Sequence, residues 1–262
     1  MNGIQQGDRT VSNGSSLLNQ LPHVGIVAAT ADGAALCYRT LCREAERLIG
    51  QHAHPEITMH ALPLRRYLAC IDAGDWAGVA ALMSRSSSLL EQAGAELIIC
   101  PNNTLHRAFQ WVTSSVPWLH IAAAVRIEAV RRDFQRLGLL GTQSVMQGTV
   151  YQPIFEEEGI EIVVPPPVER TVLDAIIRSE LIRGEYLPHS RRYVQDIIST
   201  MATQGVDAVI LGCTELPLLV HAEDSEIPLL DSTSLLAIAA LQRASRQPVR
   251  THRDSPIIFT SN

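Results

Sequence analysis

Two short segments of the chain carry residue types that could do acid–base chemistry at the end of a strand. Residues 207–217 read DAVILGCTELP, and residues 96–106 read ELIICPNNTLH. Each begins with an acidic residue, continues through apolar residues, and ends in small and polar residues that could open a helix. A cysteine thiol can act as an acid or a base when its surroundings bring its pKa towards the operating pH. We therefore asked which residue of the first segment corresponds to Cys213.

An alignment of the two segments without gaps identifies that residue as Asn102. At an offset of 111 residues, Cys100 stands opposite Leu211 and Asn102 stands opposite Cys213. Because a strand rises about 3.3 Å per residue and alternates faces, Cys100 would point to the same side as Asn102 but about 6.6 Å further back. Cys100 is therefore predicted to be a core residue, and the site is predicted to hold one thiol.

The neighbours of Cys213 favour a functional role for its thiol. Cys213 follows a predicted buried strand and precedes the residues TELP, so it is predicted to lie at the N-terminus of a helix. Backbone N–H groups and the helix dipole at such a position favour a thiolate and an anionic ligand. The alternative is a buried cysteine that acts as a small hydrophobic residue. The preceding glycine and the polar Thr214 and Glu215 favour the first interpretation.

Apolar runs that alternate with helical patterns predict the elements that must hold these residues. The strand candidates are residues 23–29, 56–62, 95–100, 118–122, 136–141, 160–164, 207–212 and 227–231. The helical patterns cover residues 33–49, 76–93, 122–135, 168–182, 189–204 and 232–242. Apolar strands joined by helices indicate parallel sheets covered on both faces. The predicted fold class is therefore α/β.

A second pair of similar segments indicates an internal duplication. VGIVAAT at residues 24–30 is similar to LGLLGTQ at residues 137–143, and each is a strand that runs into a turn of small residues. We expect two similar parallel-sheet α/β lobes related by pseudo-twofold symmetry. Ligands bind at the carboxyl ends of strands in open α/β sheets, so the active site is expected in the cleft between the lobes.

The duplication also predicts a division of the chain into segments. The first lobe is predicted to comprise residues 21–120 plus about 228–245, and the second lobe residues 121–227. Residues 1–20 are rich in Gly, Gln, Asn and Ser and are predicted to form a flexible leader. Residues 246–262 are predicted to form a loose C-terminal tail.

Composition favours a cytoplasmic protein that binds neither nucleic acid nor membrane. Hydrophobic residues make up 46% and charged residues 18% of the chain, and the net charge of -6 provides no basic surface for nucleic acid. Five cysteines without a Cys-x-x-Cys motif indicate reduced thiols. No signal peptide is apparent, and no apolar run reaches the ~18 residues that a membrane span needs.

The motifs resemble those of one protein family. VILGCTELPLL resembles the second cysteine motif of the aspartate/glutamate racemase superfamily, and NTLH at residues 103–106 resembles the Asn-Thr-x-His that follows the first cysteine in its amino-acid racemases. GIVAATADGAALCYR looks like a degenerate version of their first strand and glycine-rich turn. The likeness covers residues 22 to about 242. In these racemases the first cysteine stands directly before Asn-Thr-x-His, a position that Asn102 occupies here.

The resemblance implies a cofactor-independent amino-acid racemase, with aspartate or glutamate as the expected substrate. Two acid/base groups on opposite faces of the α-carbon would remove and return a proton, with Cys213 as the thiol and Asn102 at the opposing position. Because an amide does not usefully accept a proton, another residue or a water must complete the second face. Relatives are often dimers, so a homodimer is expected.

Two alternatives stay open because one cysteine is missing. A decarboxylase branch of the superfamily keeps only the second cysteine, and another isomerase could likewise use Cys213 alone. The third hypothesis is a catalytically weak protein that binds an amino acid or a dicarboxylate. Exchange of the substrate α-proton separates the racemase from the binding protein.

The resemblance also implies a set of residues around the substrate. The candidates that match motif or turn positions are Thr30, Asn103, Thr104, Thr142, Thr214 and Glu215. The alternative role of Asn and Thr at such positions is to cap the following helix. His106 belongs to the first motif and is expected either to orient or protonate a group at the site or to pack a helix.

A second substrate carboxylate would need a cationic partner. Arg65, Arg66 and Arg183 are candidates for bidentate hydrogen bonds to it, and the alternative for each is a solvated charge. These arginines complete the candidate substrate-binding set.

No cofactor is expected. The sequence contains no lysine, so a pyridoxal phosphate Schiff base has no amine to form it. Neither a GxGxxG motif before a helix nor a Walker lysine is present. His52, His54 and His60 could suggest a metal, but no acidic or cysteine ligand lies at a matching spacing, and metal binding is not predicted.

Overall fold

The computed structural model describes residues 21–244, and their first half forms a four-stranded parallel sheet. The elements are β1 (Val24–Ala28), α1 (Ala31–Ile49), β2 (Ile57–Ala61), α2 (Leu64–Asp72), α3 (Trp76–Gln92), β3 (Leu97–Ile99), a 3-10 helix (Thr104–Trp111) and β4 (Trp118–Leu119). The strand order is β2-β1-β3-β4. In register, Val24 of β1 lies between Ile57 of β2 and Leu97 of β3.

The second half forms another parallel sheet with the same order of strands. Its elements are α4 (Ile121–Arg131), β5 (Arg136–Gly141), α5 (Gln143–Met146), α6 (Gln152–Glu156), β6 (Glu161–Val163), α7 (Pro167–Ser179), a 3-10 helix (Leu181–Arg183), α8 (Pro188–Thr203), β7 (Ala208–Gly212), α9 (Leu216–Leu219), a 3-10 helix (Ala222–Asp224), β8 (Leu229–Asp231) and α10 (Ser232–Ala244). The order β6-β5-β7-β8 repeats that of the first sheet. The predicted α/β fold with two similar parallel sheets is confirmed.

Each sheet is covered on both faces, as its unbroken apolar strands require. Val24 and Ile26 of β1 pack into a core that also contains Leu139 of β5 and Ile210 of β7. Val27, which points to the other face of β1, packs into a separate core of the first lobe. One hydrophobic core is therefore shared by the two lobes.

The segment after residue 228 belongs to both lobes. Strand β8 pairs in parallel with β7, with Val209 opposite Leu229, so residues 229–231 extend the second sheet and not the first lobe to which the sequence assigned them. Helix α10 follows at once and packs against α1 and α4. The remaining domain boundaries stay a prediction.

The predicted leader, residues 1–20, and the predicted tail, residues 246–262, lie outside the described residues. Within residues 21–244, none of the helices has the length and apolar character needed to span a bilayer.

Candidate active site

A cleft of about 570 Å³, its opening to solvent included, lies where the turns after β1, β3, β5 and β7 meet. These turns follow the carboxyl ends of parallel strands, the place where open α/β sheets bind ligands. The predicted site residues that line the cleft are Thr30, Asn102, Asn103, Thr104, Thr142, Cys213, Thr214 and Glu215. The structure therefore brings residues of both lobes to one cavity.

Two hydrogen bonds between threonine hydroxyls cross from one lobe to the other. Thr30 after β1 lies 3.3 Å from Thr214 after β7, measured between the Oγ1 atoms. Thr104 after β3 lies 3.0 Å from Thr142 after β5. In the repeat, the β1 turn corresponds to the β5 turn and the β3 turn to the β7 turn. The two bonds are therefore equivalents of each other, as a pseudo-twofold relation of the lobes requires.

Cys213 forms a hydrogen-bonded pair with Glu215 at the cleft. The thiol donates to Glu215 Oε2 at 3.1 Å, and the Thr214 hydroxyl donates to the same oxygen at 2.6 Å. All three side chains are buried. The second oxygen of Glu215, Oε1, is buried without a hydrogen-bond partner. The pair thus combines a proton donor, a proton acceptor and one unsatisfied oxygen.

The surroundings of Cys213 favour the thiol over the thiolate. Burial and the negative charge of Glu215 raise the pKa of the Cys213 thiol well above its ordinary value, while the backbone N–H groups of Glu215 and Leu216 act in the opposite direction. The prediction that a helix N-terminus would favour the thiolate is wrong in its net effect. The helix that follows, α9, has only four residues, and burial outweighs its N–H groups.

Asn102 lies in the turn after β3, and its side chain bonds the backbone at the start of the 3-10 helix that follows. Its Oδ1 accepts a hydrogen bond from the backbone N–H of Leu105 at 3.2 Å. The side chain is partly exposed at the cleft. This bond uses the amide oxygen, which leaves the N–H donors of the amide to serve a ligand or a water.

Asn103 joins the lobes from a buried position. Its Oδ1 accepts from the Tyr151 hydroxyl at 2.6 Å, and its Nδ2 donates to Ser232 Oγ at 3.0 Å. Ser232 in turn donates to the backbone carbonyl of Leu211 at 2.8 Å. Both ends of the Asn103 amide are therefore used inside the protein, and what Asn103 offers a substrate is its backbone.

Cys100 and His106 lie behind the cleft and not in its lining. Cys100 is fully buried in the core of the first lobe, and burial raises its pKa to about 12. His106 donates from Nε2 to the Cys100 carbonyl at 2.9 Å and packs against Phe109 and His120. Burial lowers the pKa of His106 to about 4, so this imidazole is neutral at pH 7.

The predicted arginines are not the ones that reach the cleft. Arg65, Arg66 and Arg183 are exposed and stand outside its lining. Arg178 of α7, which is also exposed, lines it instead and is paired with Asp174 and with Asp72 of the other lobe. The type of a residue does not reveal which way its side chain points, so the sequence could not choose among these arginines.

Helix α2 is the part of the site that the sequence analysis missed. Leu64, Leu68 and Ile71 of this helix face the cleft across from Ile177 and Ile182 of the second lobe. The helical spacing of residues 64, 68 and 71 is the signal that could have identified it.

The histidines that could have suggested a metal have other partners. His54 Nδ1 lies 2.8 Å from the Pro55 carbonyl oxygen, and His60 Nδ1 lies 3.0 Å from Ser86 Oγ. Over residues 21–244, the structure places no three His, Cys, Asp or Glu side chains together as a metal site.

The fold and the cleft define a two-lobed α/β protein with a polar cleft between equivalent turns. The chain belongs to the Asp/Glu/hydantoin racemase family, whose model matches residues 22–240. The broad specificity amino-acid racemase RacX of Bacillus subtilis is 28% identical over 153 residues, which are 56% of this chain and 64% of that protein. Glutamate racemase of Pseudomonas aeruginosa is 23% identical over 156 residues, which are 57% of each protein.

A solved structure is similar over a greater length. An aspartate racemase homologue from Pyrococcus horikoshii superposes with a TM-score of 0.72 at 28% identity, covering 86% of this chain and 100% of that one. By contrast, the chain matches less than two thirds of the length of the two curated relatives.

Proposed function

We propose that this protein is a cofactor-independent amino-acid racemase with Cys213 as its acid/base thiol. The observation that carries the proposal is the 3.1 Å hydrogen bond from Cys213 to Glu215 in a cleft between equivalent turns. Membership of the racemase family and the similarity to a broad specificity racemase support it. A chain without lysine cannot form a Schiff base with pyridoxal phosphate, so the chemistry is assigned to its own side chains.

Glu215 gives the thiol a route to its reactive form. The carboxylate takes the thiol proton along the existing hydrogen bond, and the thiolate then removes the proton from one face of the substrate α-carbon. Hydroxyl and backbone N–H donors at the cleft floor, including Thr104 and Thr214, would bind the substrate carboxylate and stabilise the negative charge that develops. Return of a proton to the opposite face completes the inversion.

In this proposal, Asn102 lies at the face of the substrate α-carbon opposite Cys213. The Asn102 amide cannot remove a proton, but its N–H donors can hold a water molecule that exchanges a proton with the substrate α-carbon. That water gives a proton to the carbanion and becomes hydroxide. The proton held by Glu215 then passes to this hydroxide, which restores the water, the Glu215 carboxylate and the Cys213 thiol, now carrying the proton taken from the substrate. A thiol on one face and a water on the other make the site chemically unequal for the two enantiomers.

The single thiol also favours a second candidate, a decarboxylase that uses Cys213 to protonate the carbanion left by carbon dioxide. One feature argues for the racemase. The buried Oε1 of Glu215 has no partner, and the α-ammonium of an amino acid would supply one. A dicarboxylate without an amine would instead bring a second negative charge to this carboxyl group. A protein that binds an amino acid without turnover is the third candidate.

Proton NMR in heavy water separates the three candidates. The racemase is expected to replace the α-proton of L- and D-amino acids, including aspartate and glutamate, with deuterium at unequal rates for the two enantiomers. Asn102→Cys should narrow that difference by supplying a second thiol. Equal rates in the parent would contradict the one-thiol arrangement. Loss of carbon dioxide from a dicarboxylate would identify the decarboxylase, and binding without exchange would identify the binding protein.

A cytoplasmic homodimer is part of this proposal. The dimer is expected from the family resemblance and the location from the reduced cysteines. Light scattering of the purified protein, where about twice the monomer mass of 28.7 kDa is expected, tests the first of these expectations.

A further inference from the structure

The walls of the cleft differ in chemistry from its floor. The floor consists of the polar turns after β1, β3, β5 and β7, whereas helices of opposite lobes supply the walls. The aliphatic side chains of the lining are Leu64, Leu68, Ile71, Leu105, Ile177 and Ile182. A substrate whose polar groups contact the floor therefore directs its side chain towards aliphatic surface.

Arg178 is the only positively charged residue in the lining formed by the described part of the chain. Its Nε donates to Asp174 Oδ2 at 3.0 Å, and its Nη1 lies 3.5 Å from Asp72 Oδ1. Asp174 is itself held in place, because its Oδ1 accepts the backbone N–H of Gln143 at 2.8 Å. Two carboxylates thus flank one guanidinium. Asp72 and Arg178 are exposed, so their ion pair is weak, and the barrier to a third carboxylate comes mainly from Asp174, which is held in place, and from repulsion by both aspartates.

We propose that the side-chain subsite prefers uncharged aliphatic amino acids to aspartate and glutamate. The aliphatic walls provide apolar contact for such a side chain, and Asp72 and Asp174 disfavour an acidic one. The inference rests on the proposed function, since it takes the polar floor to hold the α-carbon and its substituents.

The first experiment compares substrates on the parent protein. We expect kcat/KM for α-deuterium exchange to be at least about tenfold higher for leucine and methionine than for aspartate and glutamate. A preference for aspartate or glutamate would overturn the proposed aliphatic side-chain preference but not the proposed racemase activity. Absence of exchange with every amino acid would overturn the racemase. In that case the affinities of leucine and aspartate, measured by calorimetry, test the side-chain subsite. Tighter binding of leucine supports the proposed preference, and equal or tighter binding of aspartate overturns it.

The second experiment places a charge in the wall. Leu68 is partly exposed, so Leu68→Arg is tolerated sterically, and Leu68→Gln is its uncharged control. Leu68→Arg should shift the ratio of glutamate to leucine exchange towards glutamate by at least about tenfold, and Leu68→Gln, which removes one aliphatic contact but adds no charge, should shift it several-fold less. An equal shift in both variants would show that a positive charge at position 68 does not reach the distal carboxylate of glutamate, and would overturn the assignment of this wall to the side-chain subsite.

The third experiment tests Arg178 directly. If its guanidinium is committed to Asp72 and Asp174, Arg178→Gln should alter leucine and aspartate exchange by similar factors. A loss for aspartate at least about tenfold larger than the loss for leucine would show that Arg178 binds a distal carboxylate. That result would overturn the proposal.

Discussion

At the scale of single residues, the site is built around a thiol that its surroundings keep protonated. Burial raises the pKa of Cys213, and the neighbouring Glu215 raises it further. A proton acceptor at 3.1 Å offsets this, because the thiolate needs to exist only while the proton rests on the carboxylate. Cys213 and Glu215 therefore act together in proton transfer, and loss of either side chain is expected to disable the pair.

Replacement of Cys213 tests the assignment of the thiol. Cys213→Ala should lower kcat by at least about 10²-fold while the fold persists, because it removes the acid/base group. Cys100→Ala is the matched control: it deletes a thiol that is fully buried and lies behind the cleft. It should cost roughly 1–2 kcal/mol of unfolding free energy through a small cavity and keep most activity. Turnover of Cys213→Ala within tenfold of the parent, or an inactive but folded Cys100→Ala, would refute the assignment.

Replacement of Glu215 tests the pair. In Glu215→Gln the negative charge that raises the pKa of Cys213 is gone, and only a neutral amide oxygen remains to accept the hydrogen bond of the thiol, so the thiol should ionise at lower pH. The alkaline rise of kcat/KM should therefore move to lower pH, while kcat falls by about 10²-fold or more because the proton acceptor is missing. The measurement is the pH profile of α-deuterium exchange in both proteins. A profile that keeps its position would show that Glu215 does not act on the thiol.

At the scale of elements, the sequence predicted most of what forms the floor of the cleft and little of its walls. The strands could be predicted because each is a short apolar run followed by a turn of small or polar residues. Helix α2 was missed because it has only nine residues, so the apolar spacing of Leu64, Leu68 and Ile71 covers about two turns, less than a helical pattern usually needs to be recognised. The direction of the pKa shift at Cys213 could not be predicted from the sequence either, because the thiol is buried only where the two lobes pack around the turn.

One glycine sets how closely the first turn of α1 approaches the other lobe. A Cβ added to Gly33 would lie 2.4 Å from Thr214 Cβ and 2.7 Å from Thr30 Oγ1, the two residues of one bond between the lobes. Gly33→Ala should therefore destabilise the protein by about 1–3 kcal/mol, although alanine is the better helix former by about 1 kcal/mol. Exchange activity should fall by at least about tenfold, since misplacement at the site is costly. Urea unfolding and NMR exchange measure the two effects, and a variant more stable than the parent with full activity would contradict the argument.

At the scale of the whole molecule, the shared core makes the two lobes one folding unit. Ile26 of β1, Leu139 of β5 and Leu236 of α10 lie in the same buried cluster, so neither lobe can unfold without exposing apolar surface of the other. A single cooperative unfolding transition is therefore expected, and one free energy of unfolding describes it. This cooperativity also lets buried titratable groups in either lobe affect the stability of the whole.

The stability of the folded protein should depend on pH through two buried groups, Cys100 and His106. Burial raises the pKa of Cys100 from 9.0 to about 12, so the folded protein retains a proton that the unfolded chain loses above pH 9. Its contribution is complete below pH 9 and is lost as the pH rises towards 12. Burial lowers the pKa of His106 from 6.5 to about 4, so the unfolded chain binds a proton that the folded protein excludes. That contribution is complete above pH 6.5 and is lost as the pH falls towards 4.

Stability should therefore be highest between these limits and fall on either side. Each of the two groups accounts for a loss on the order of 3–4 kcal/mol across its interval. Urea unfolding under reducing conditions at a series of pH values measures both limbs. His106→Gln, which can still donate to the Cys100 carbonyl, should make the acid limb less steep, and Cys100→Ala should make the alkaline limb less steep, each without affecting the other. The remaining slope is expected from His120 on the acid side and from Cys37 and Cys213 on the alkaline side. An acid limb of unchanged steepness in His106→Gln would show that groups other than this buried imidazole govern acid unfolding.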